Sequence, residues 1–373
     1  MQPLWSLGFR PFYLVASLLA ALSIALWTAQ VAGLPGYAYL AGPLWHAHEM
    51  LFGYAFAVIV GFLFTAGSNW TGLPTPTGAR LAGIVALWVA ARILVLTPYA
   101  LLAAAADTAF ALAAAWGLAV PMVKSGNRRN YFFIALVLAL GAANLVFHLA
   151  MAGRLAVPVQ LGLAVGLDIV LFAMTVMGGR VIPMFTNNAI PAARCRREPR
   201  LEKLVLASTL ALIAVDALSL EASVAGAAVA AIAAAAHAAR FVLWRPWLTA
   251  RRPIVWILHA SYAWIVIYLA LRALAALDLV PSGIATHALT VGAIGGLTLG
   301  MMTRTARGHT GRPLETGAAE TLSYALVMAA AICRVALPLA VPAMILPATV
   351  AAGLLWSLAF AIFAVRYWPI LSR

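Results

Sequence analysis

Charge is what this chain has least of. Asp, Glu, Lys and Arg make up only 9% of its 373 residues, and ten acidic residues face 24 basic ones. Soluble domains are about a quarter charged, so a soluble globular fold is excluded. Cysteine is also scarce. Cys195 and Cys333 provide neither a disulfide framework nor a paired metal motif. Cys195 stands among Arg194, Arg196 and Arg197, which would favour a thiolate, but an incidental exposed thiol is the plainer reading. Residues 1–9 lack the positive charge of a cleavable leader, and the apolar stretch after them is long enough to cross a bilayer.

What the chain does have is apolar sequence, 65% of its residues. A hydrocarbon layer of roughly 30 Å needs about 20 apolar residues per helix. Segments near that length, separated by turn residues, fall at 12–32, 44–66, 81–97, 99–123, 131–152, 159–182, 204–220, 222–243, 254–275, 285–303, 318–337 and 343–365. The joins carry turn residues such as Gly33, Pro35 and Gly36, or Gly72, Pro74 and Pro76. The expected fold is therefore all-α and polytopic, a single transmembrane domain over residues 1–373 with about twelve spans. The terminal segments and even-numbered loops hold 19 of the 24 Lys and Arg residues, Arg240 among them. That asymmetry places both termini in the cytoplasm. It also explains the net charge of +14: the partner is the lipid bilayer, and no nucleic acid is expected.

An internal repeat is visible. His48, Gly53 and Gly61 recur 239 residues later as His287, Gly292 and Gly300, and Thr71–Gly72–Leu73–Pro74 recurs as Thr310–Gly311–Arg312–Pro313. A weaker echo around Met177–Gly178–Gly179–Arg180 suggests three four-helix units, 1–125, 126–248 and 249–373.

Given the topology, His46, His48, His148 and His287 share one depth near the outer face. Imidazole buried in hydrocarbon is costly, so an intramembrane histidine is a functional candidate by default. Four at one depth point to metal ligation, and imidazole suits copper, iron and zinc. His46 and His48 diverge by about 200° on a regular helix, so they share one ion only if the backbone between them is not helical. Arg92 and Asp107 flank a short turn and are placed to pair as a structural ion pair. Glu49 and Asp168 are candidates for proton transfer or for packing contacts. Arg180, Arg304 and Arg307, near the inner face, suit lipid headgroups or haem propionates.

Several motifs carry a family resemblance across nearly the whole chain. They are Gly8–Phe9–Arg10–Pro11–Phe12, His46–Ala47–His48–Glu49–Met50, Asn69–Trp70–Thr71–Gly72 and Asn127–Arg128–Arg129–Asn130. The second half adds Gly178–Gly179–Arg180–Val181–Ile182–Pro183, Leu258–His259 with Tyr262 and Trp264, His287–Ala288–Leu289–Thr290, and Gly308–His309–Thr310–Gly311. The set resembles the NnrS family of bacterial inner-membrane proteins. The resemblance implies a haem- and copper-containing protein linked to nitric oxide metabolism and nitrosative stress. In helix number and four-by-three organisation it is similar to the catalytic subunits of haem-copper oxidases.

The implied function is nitric oxide binding at an outer haem-copper site and its reduction to nitrous oxide. One outer histidine would hold haem and up to three would hold copper, with Glu49 as the nearby acid. One or two b-type haems are implied, with His259, His309 and Arg180 as candidates for an inner haem. Electrons would come from a quinol or cytochrome partner. The alternatives are a non-enzymatic haem protein that sequesters nitric oxide or protects iron, and a transporter of metal or metal-nitrosyl complexes. Replacing His48 or His287 is expected to abolish haem or copper incorporation, whereas His237 matches no motif and its replacement is expected to leave that incorporation nearly unchanged.

Overall fold

The computed structural model describes residues 3–34 and 42–373, so Pro35 and Gly36 of the first predicted join lie outside the described residues. Among the described residues there is no strand, and twelve long helices carry the fold. They are α1 (Phe9–Val31), α2 (Gly42–Thr71), α3 (Gly78–Leu94), α4 (Ala100–Lys124), α5 (Phe132–Met151), α6 (Gln160–Ala189), α7 (Pro199–Ala217), α8 (Val224–Leu243), α9 (Pro253–Ala275), α10 (Ser282–Gly308), α11 (Ala318–Ala340) and α12 (Ile345–Ser372). Ten are long and apolar enough to cross a membrane, so this is a membrane protein. The two that fall short have local reasons. α3 has 17 residues, and α7 carries Arg200, Glu202, Lys203 and Asp216 in a short length.

The chain forms two compact units, residues 1–169 with 364–373, and residues 170–363. In the first, α4 packs against α3 and α5, while α2 lies against α1, α4 and α5. Its centre is aromatic: Phe12 meets Phe64 and Phe110 with ring centroids about 6 Å apart, and Phe56 meets Phe110 edge-on. Arg10 donates to the carbonyl of Leu371 and so ties the end of α12 to the start of α1. In the second unit α9 is central and packs on α8, α10 and α11.

Two of the family motifs meet in the first unit. Trp70 stacks on Phe133, and Asn127 Nδ2 donates to the Trp70 carbonyl at 2.9 Å. Asn130 Nδ2 in turn donates to Asn127 Oδ1. These side chains close the α4–α5 connection onto the end of α2, so their task is structural.

Both α2 and α10 widen into π-helical turns, over Glu49–Ala55 and Ala288–Gly295. The two segments begin 239 residues apart, each directly after the histidine of the repeated motif. Wide turns of this kind occur mostly as local interruptions of α-helices, frequently at functional sites.

Candidate metal centre

The regular α-helical turn that precedes the π-helical segment in α2 determines where the histidines go. Gly42–His48 is regular α-helix, so His46 and His48 leave it in different directions. His46 stacks flat on Trp27, centroids 5.2 Å apart. His48 turns inward toward α4 and α5 and is fully buried.

There it meets a compact polar cluster. His48 Nδ1 lies 2.9 Å from Glu49 Oε1. On the other side of the ring, His48 Nε2 lies 3.0 Å from Asn144 Oδ1, 3.3 Å from His148 Nε2 and 3.4 Å from Asp107 Oδ2. His148 Nε2 is 3.0 Å from the same Asp107 oxygen. Asn144 and His148 stand one helical turn apart on α5 and so project from one face. His48, Asp107 and His148 are all buried and each points one ligand atom at the others.

Arg92, in the last turn of α3, closes the cluster from behind. Its Nη1 donates to Glu49 Oε1 at 2.9 Å and its Nη2 donates to Asp107 Oδ1. The α3–α4 hairpin brings these two residues together across its short turn, as the sequence suggests. Gly53, in the π-helical turn, makes room for the guanidinium: a Cβ there would stand 2.7 Å from Arg92 Nη1. Trp88 Nε1 donates to the Gly53 carbonyl and fixes the same contact from α3. Phe147 stacks on the His48 ring and Phe52 lies against it, so the cluster is walled by apolar surface.

Donor chemistry and spacing both fit a metal ion. Ligand atoms bound at about 2.0–2.1 Å stand roughly 3.0–3.4 Å apart in adjacent positions, and the three contacts among His48 Nε2, His148 Nε2 and Asp107 Oδ2 run from 3.0 to 3.4 Å. Two imidazoles and a carboxylate suit copper, zinc or iron. The same pair does not fit a haem. Axial nitrogens on opposite sides of a haem iron stand roughly 4 Å apart with the ring between them, and these two face each other at 3.3 Å.

A family model described as NnrS protein matches residues 3–373. The chain belongs to the NnrS family. No curated protein matches the sequence. The motifs His46–Ala47–His48–Glu49 and, in α10, His287–Ala288–Leu289 thus mark the two starts of π-helical turns in an NnrS protein.

The four histidines expected to share one layer divide. His48 and His148 meet, whereas His46 is carried to Trp27 by the helical twist. His287 is half-buried in the second unit, where its Nδ1 donates to the Gly283 carbonyl at 2.6 Å. Glu49 belongs to the cluster but stands behind His48, held by Arg92. Asp168 is buried on α6 and is not among these groups. His259 is buried in the second unit with Nε2 on Thr186 Oγ1 at 2.8 Å, and its Nδ1 has no hydrogen-bond partner among the described residues. His309 is exposed just past α10, and Arg180 is half-buried on α6.

Two members of the cluster were not foreseen as ligands. Asp107 read only as a partner for Arg92, and Asn144 was not singled out. The available signal was an i, i+4 pair of polar side chains, Asn144 and His148, in an otherwise apolar helix.

The second unit corrects one further expectation. Arg240 is not a loop cation. It is 1% exposed, with Nε 3.1 Å from Glu202 Oε1, Nη2 donating to the Thr175 carbonyl and Nη1 donating to Tyr262 Oη. Glu202, on the neighbouring α7, reaches it and makes burial tolerable. His237, which matches no motif, is buried too. It accepts from Tyr262 at Nδ1 (2.8 Å) and donates from Nε2 to Thr209 Oγ1 (3.1 Å).

Proposed function

We propose that this NnrS protein handles nitric oxide in the bacterial inner membrane and reduces it to nitrous oxide, with a copper ion held by His48, His148 and Asp107. One observation carries the reading: three potential ligand atoms, from Asn144, His148 and Asp107, converge on His48 Nε2. With its Nδ1–H given to Glu49, a neutral His48 presents only a lone pair there. Asn144 Oδ1, His148 Nε2 and Asp107 Oδ2 surround that lone pair at 3.0–3.4 Å. Lone pairs crowded together away from water demand a cation. A proton on Nε2 would offer one N–H to three acceptors.

When bound, copper supplies an electrophilic position for a small ligand and a one-electron redox centre. The chain's own residues do the rest. Glu49 fixes the tautomer of His48 and aims its Nε2, the usual task of a carboxylate behind a ligating imidazole. Arg92 holds Glu49 and Asp107 at a fixed separation. Phe52 and Phe147 keep water from the cluster and leave an apolar approach that suits nitric oxide, which is small, uncharged and soluble in lipid. Asn144 offers a fourth oxygen at the same spot.

The net reaction takes two nitric oxide, two protons and two electrons to one nitrous oxide and one water, with the electrons delivered by a quinol or cytochrome partner. We place any haem at His259, whose bare Nδ1 in a buried ring suits an imidazole with one ligand still to take. Twelve spans with both termini cytoplasmic, and three four-helix repeats, complete the proposal.

The test is nitrous oxide formation by the purified, haem- and copper-loaded protein given nitric oxide and a reduced donor. Turnover that His48→Ala abolishes supports the reading. A nitrosyl spectral shift with no product, in protein shown to be fully loaded, would overturn reduction in favour of sequestration.

A further inference from the structure

In the second unit Arg272 meets the carboxylate of Asp216, and Arg240 meets that of Glu202. The metal cluster departs from that pattern. One guanidinium, Arg92, is shared between two carboxylates, Glu49 and Asp107, all three less than a tenth exposed. Arginine does not lose its proton in proteins, so its charge is fixed. Two carboxylates and one guanidinium leave a single negative charge for whatever the cluster holds.

We propose that Arg92 sets the charge of the bound metal, favouring a singly charged ion such as copper(I) over a doubly charged one such as zinc(II). The inference rests on the metal reading above. A singly charged ion brings the cluster to neutrality in its apolar surroundings, whereas a doubly charged ion leaves one positive charge uncompensated. Without Arg92 the same cluster, Glu49 included, would carry two negative charges and match a divalent ion. Arg92 touches no ligating nitrogen of His48 or His148. It acts through the carboxylates as a positioning residue, and Gly53 exists at that place in α2 because a Cβ would exclude the guanidinium.

The magnitude follows from Coulomb's law. A unit charge roughly 5 Å away, about the span of one carboxylate, changes an affinity more than a hundredfold per unit of ion charge at an effective dielectric near 20. Solvent and packing relaxation reduce this, so a change of at least about tenfold is expected.

The experiment measures copper(I) and zinc(II) affinities by competition with chelators, on detergent-purified wild type, Arg92→Met, Arg92→Lys and Glu49→Gln. Arg92→Met should shift the ratio of the two affinities at least about tenfold toward zinc(II), and Arg92→Lys should recover much of the preference. Glu49→Gln removes a negative charge and should shift the ratio the other way. The copper reduction potential should follow, falling in Arg92→Met and rising in Glu49→Gln, by about 59 mV for each tenfold change.

A merely structural role would weaken both ions together in every variant. An unchanged ratio, or shifts of the same sign in Arg92→Met and Glu49→Gln, would overturn the proposal. If Arg92→Met does not fold, the opposite shift in Glu49→Gln remains the deciding result. Wild type that binds neither ion would instead defeat the metal reading itself, and this inference with it.

Discussion

Replacing Gly179 with alanine tests the buried arginine of the second unit. Gly179 sits on α6 in the Gly178–Gly179–Arg180 motif, and a Cβ there would stand 1.4 Å from Arg240 Nη2 and 2.6 Å from its Cζ. Ordinary contact needs about 3.4 Å or more, so the guanidinium must retreat by roughly 2 Å. The arginine stem is flexible, but its head is held by Glu202, Tyr262 and the Thr175 carbonyl. Moving it breaks the bond to Thr175 and loosens the others. Breaking a buried, hydrogen-bonded ion pair costs about 3–5 kcal/mol, and partial retention of Glu202 brings the expected loss to about 2–4 kcal/mol.

The assay is a double-mutant cycle by equilibrium unfolding in detergent, with wild type, Gly179→Ala, Arg240→Leu and the double variant. Arg240→Leu alone should cost about 2–4 kcal/mol, because Glu202 loses its buried partner and keeps the exposed Arg197. With Arg240 already gone, Gly179→Ala should add less than about 1 kcal/mol. Fully additive losses would refute the claim that Gly179 exists to admit Arg240.

Three further outcomes follow from the same geometry. His237→Phe removes two buried hydrogen bonds and leaves Tyr262 and Thr209 short of a partner, so it should cost about 1–3 kcal/mol in unfolding assays while bound metal stays at the wild-type level; a silent substitution would show the network to be idle. Gly53→Ala should displace Arg92 from Glu49 and shift the ratio of copper(I) to zinc(II) affinity toward zinc(II), as Arg92→Met does, measured by chelator competition with all three ligands still present. Cys195, in the loop before α7, donates its thiol to the Trp244 carbonyl, and burial raises its pKa above the ordinary value. Alkylation at neutral pH should therefore be slow despite the flanking arginines and should accelerate only as pH rises past the usual thiol range. Because the folded chain holds that proton more tightly than the unfolded one, stability should fall over the same rise.

The helices were legible because hydrophobic length and turn residues are local properties. All twelve apolar segments, including the weak Ala-rich stretch at 222–243, fall on observed helices, with ends displaced by up to seven residues. The Arg92–Asp107 pair was legible for a similar reason, since a short hairpin leaves few places for two facing charges to go. The candidate metal cluster was legible only in two of its members, His48 and His148. Distance along a span places His46, His48, His148 and His287 near helix ends, but it does not say which way each ring points around its helix axis. That direction separates His46 from His48 within a single turn of α2. The π-helical turn also lies beyond a reading based on a 3.6-residue period, yet it follows directly on His48 and brings Gly53 against Arg92. Arg240 was misplaced because its partners, Glu202 and Tyr262, come from other helices. A basic residue near a helix end reads as interfacial until such partners are known.

The most direct measurement is the metal content of the purified protein after copper loading and exhaustive desalting, beside His48→Ala, His148→Ala and Asp107→Asn, with His46→Ala as the neighbouring control. If His48, His148 and Asp107 form the site, wild type and His46→Ala should retain one ion per chain and the three ligand variants should lose it. Equal retention in all five proteins, or loss in His46→Ala alone, would contradict the assignment.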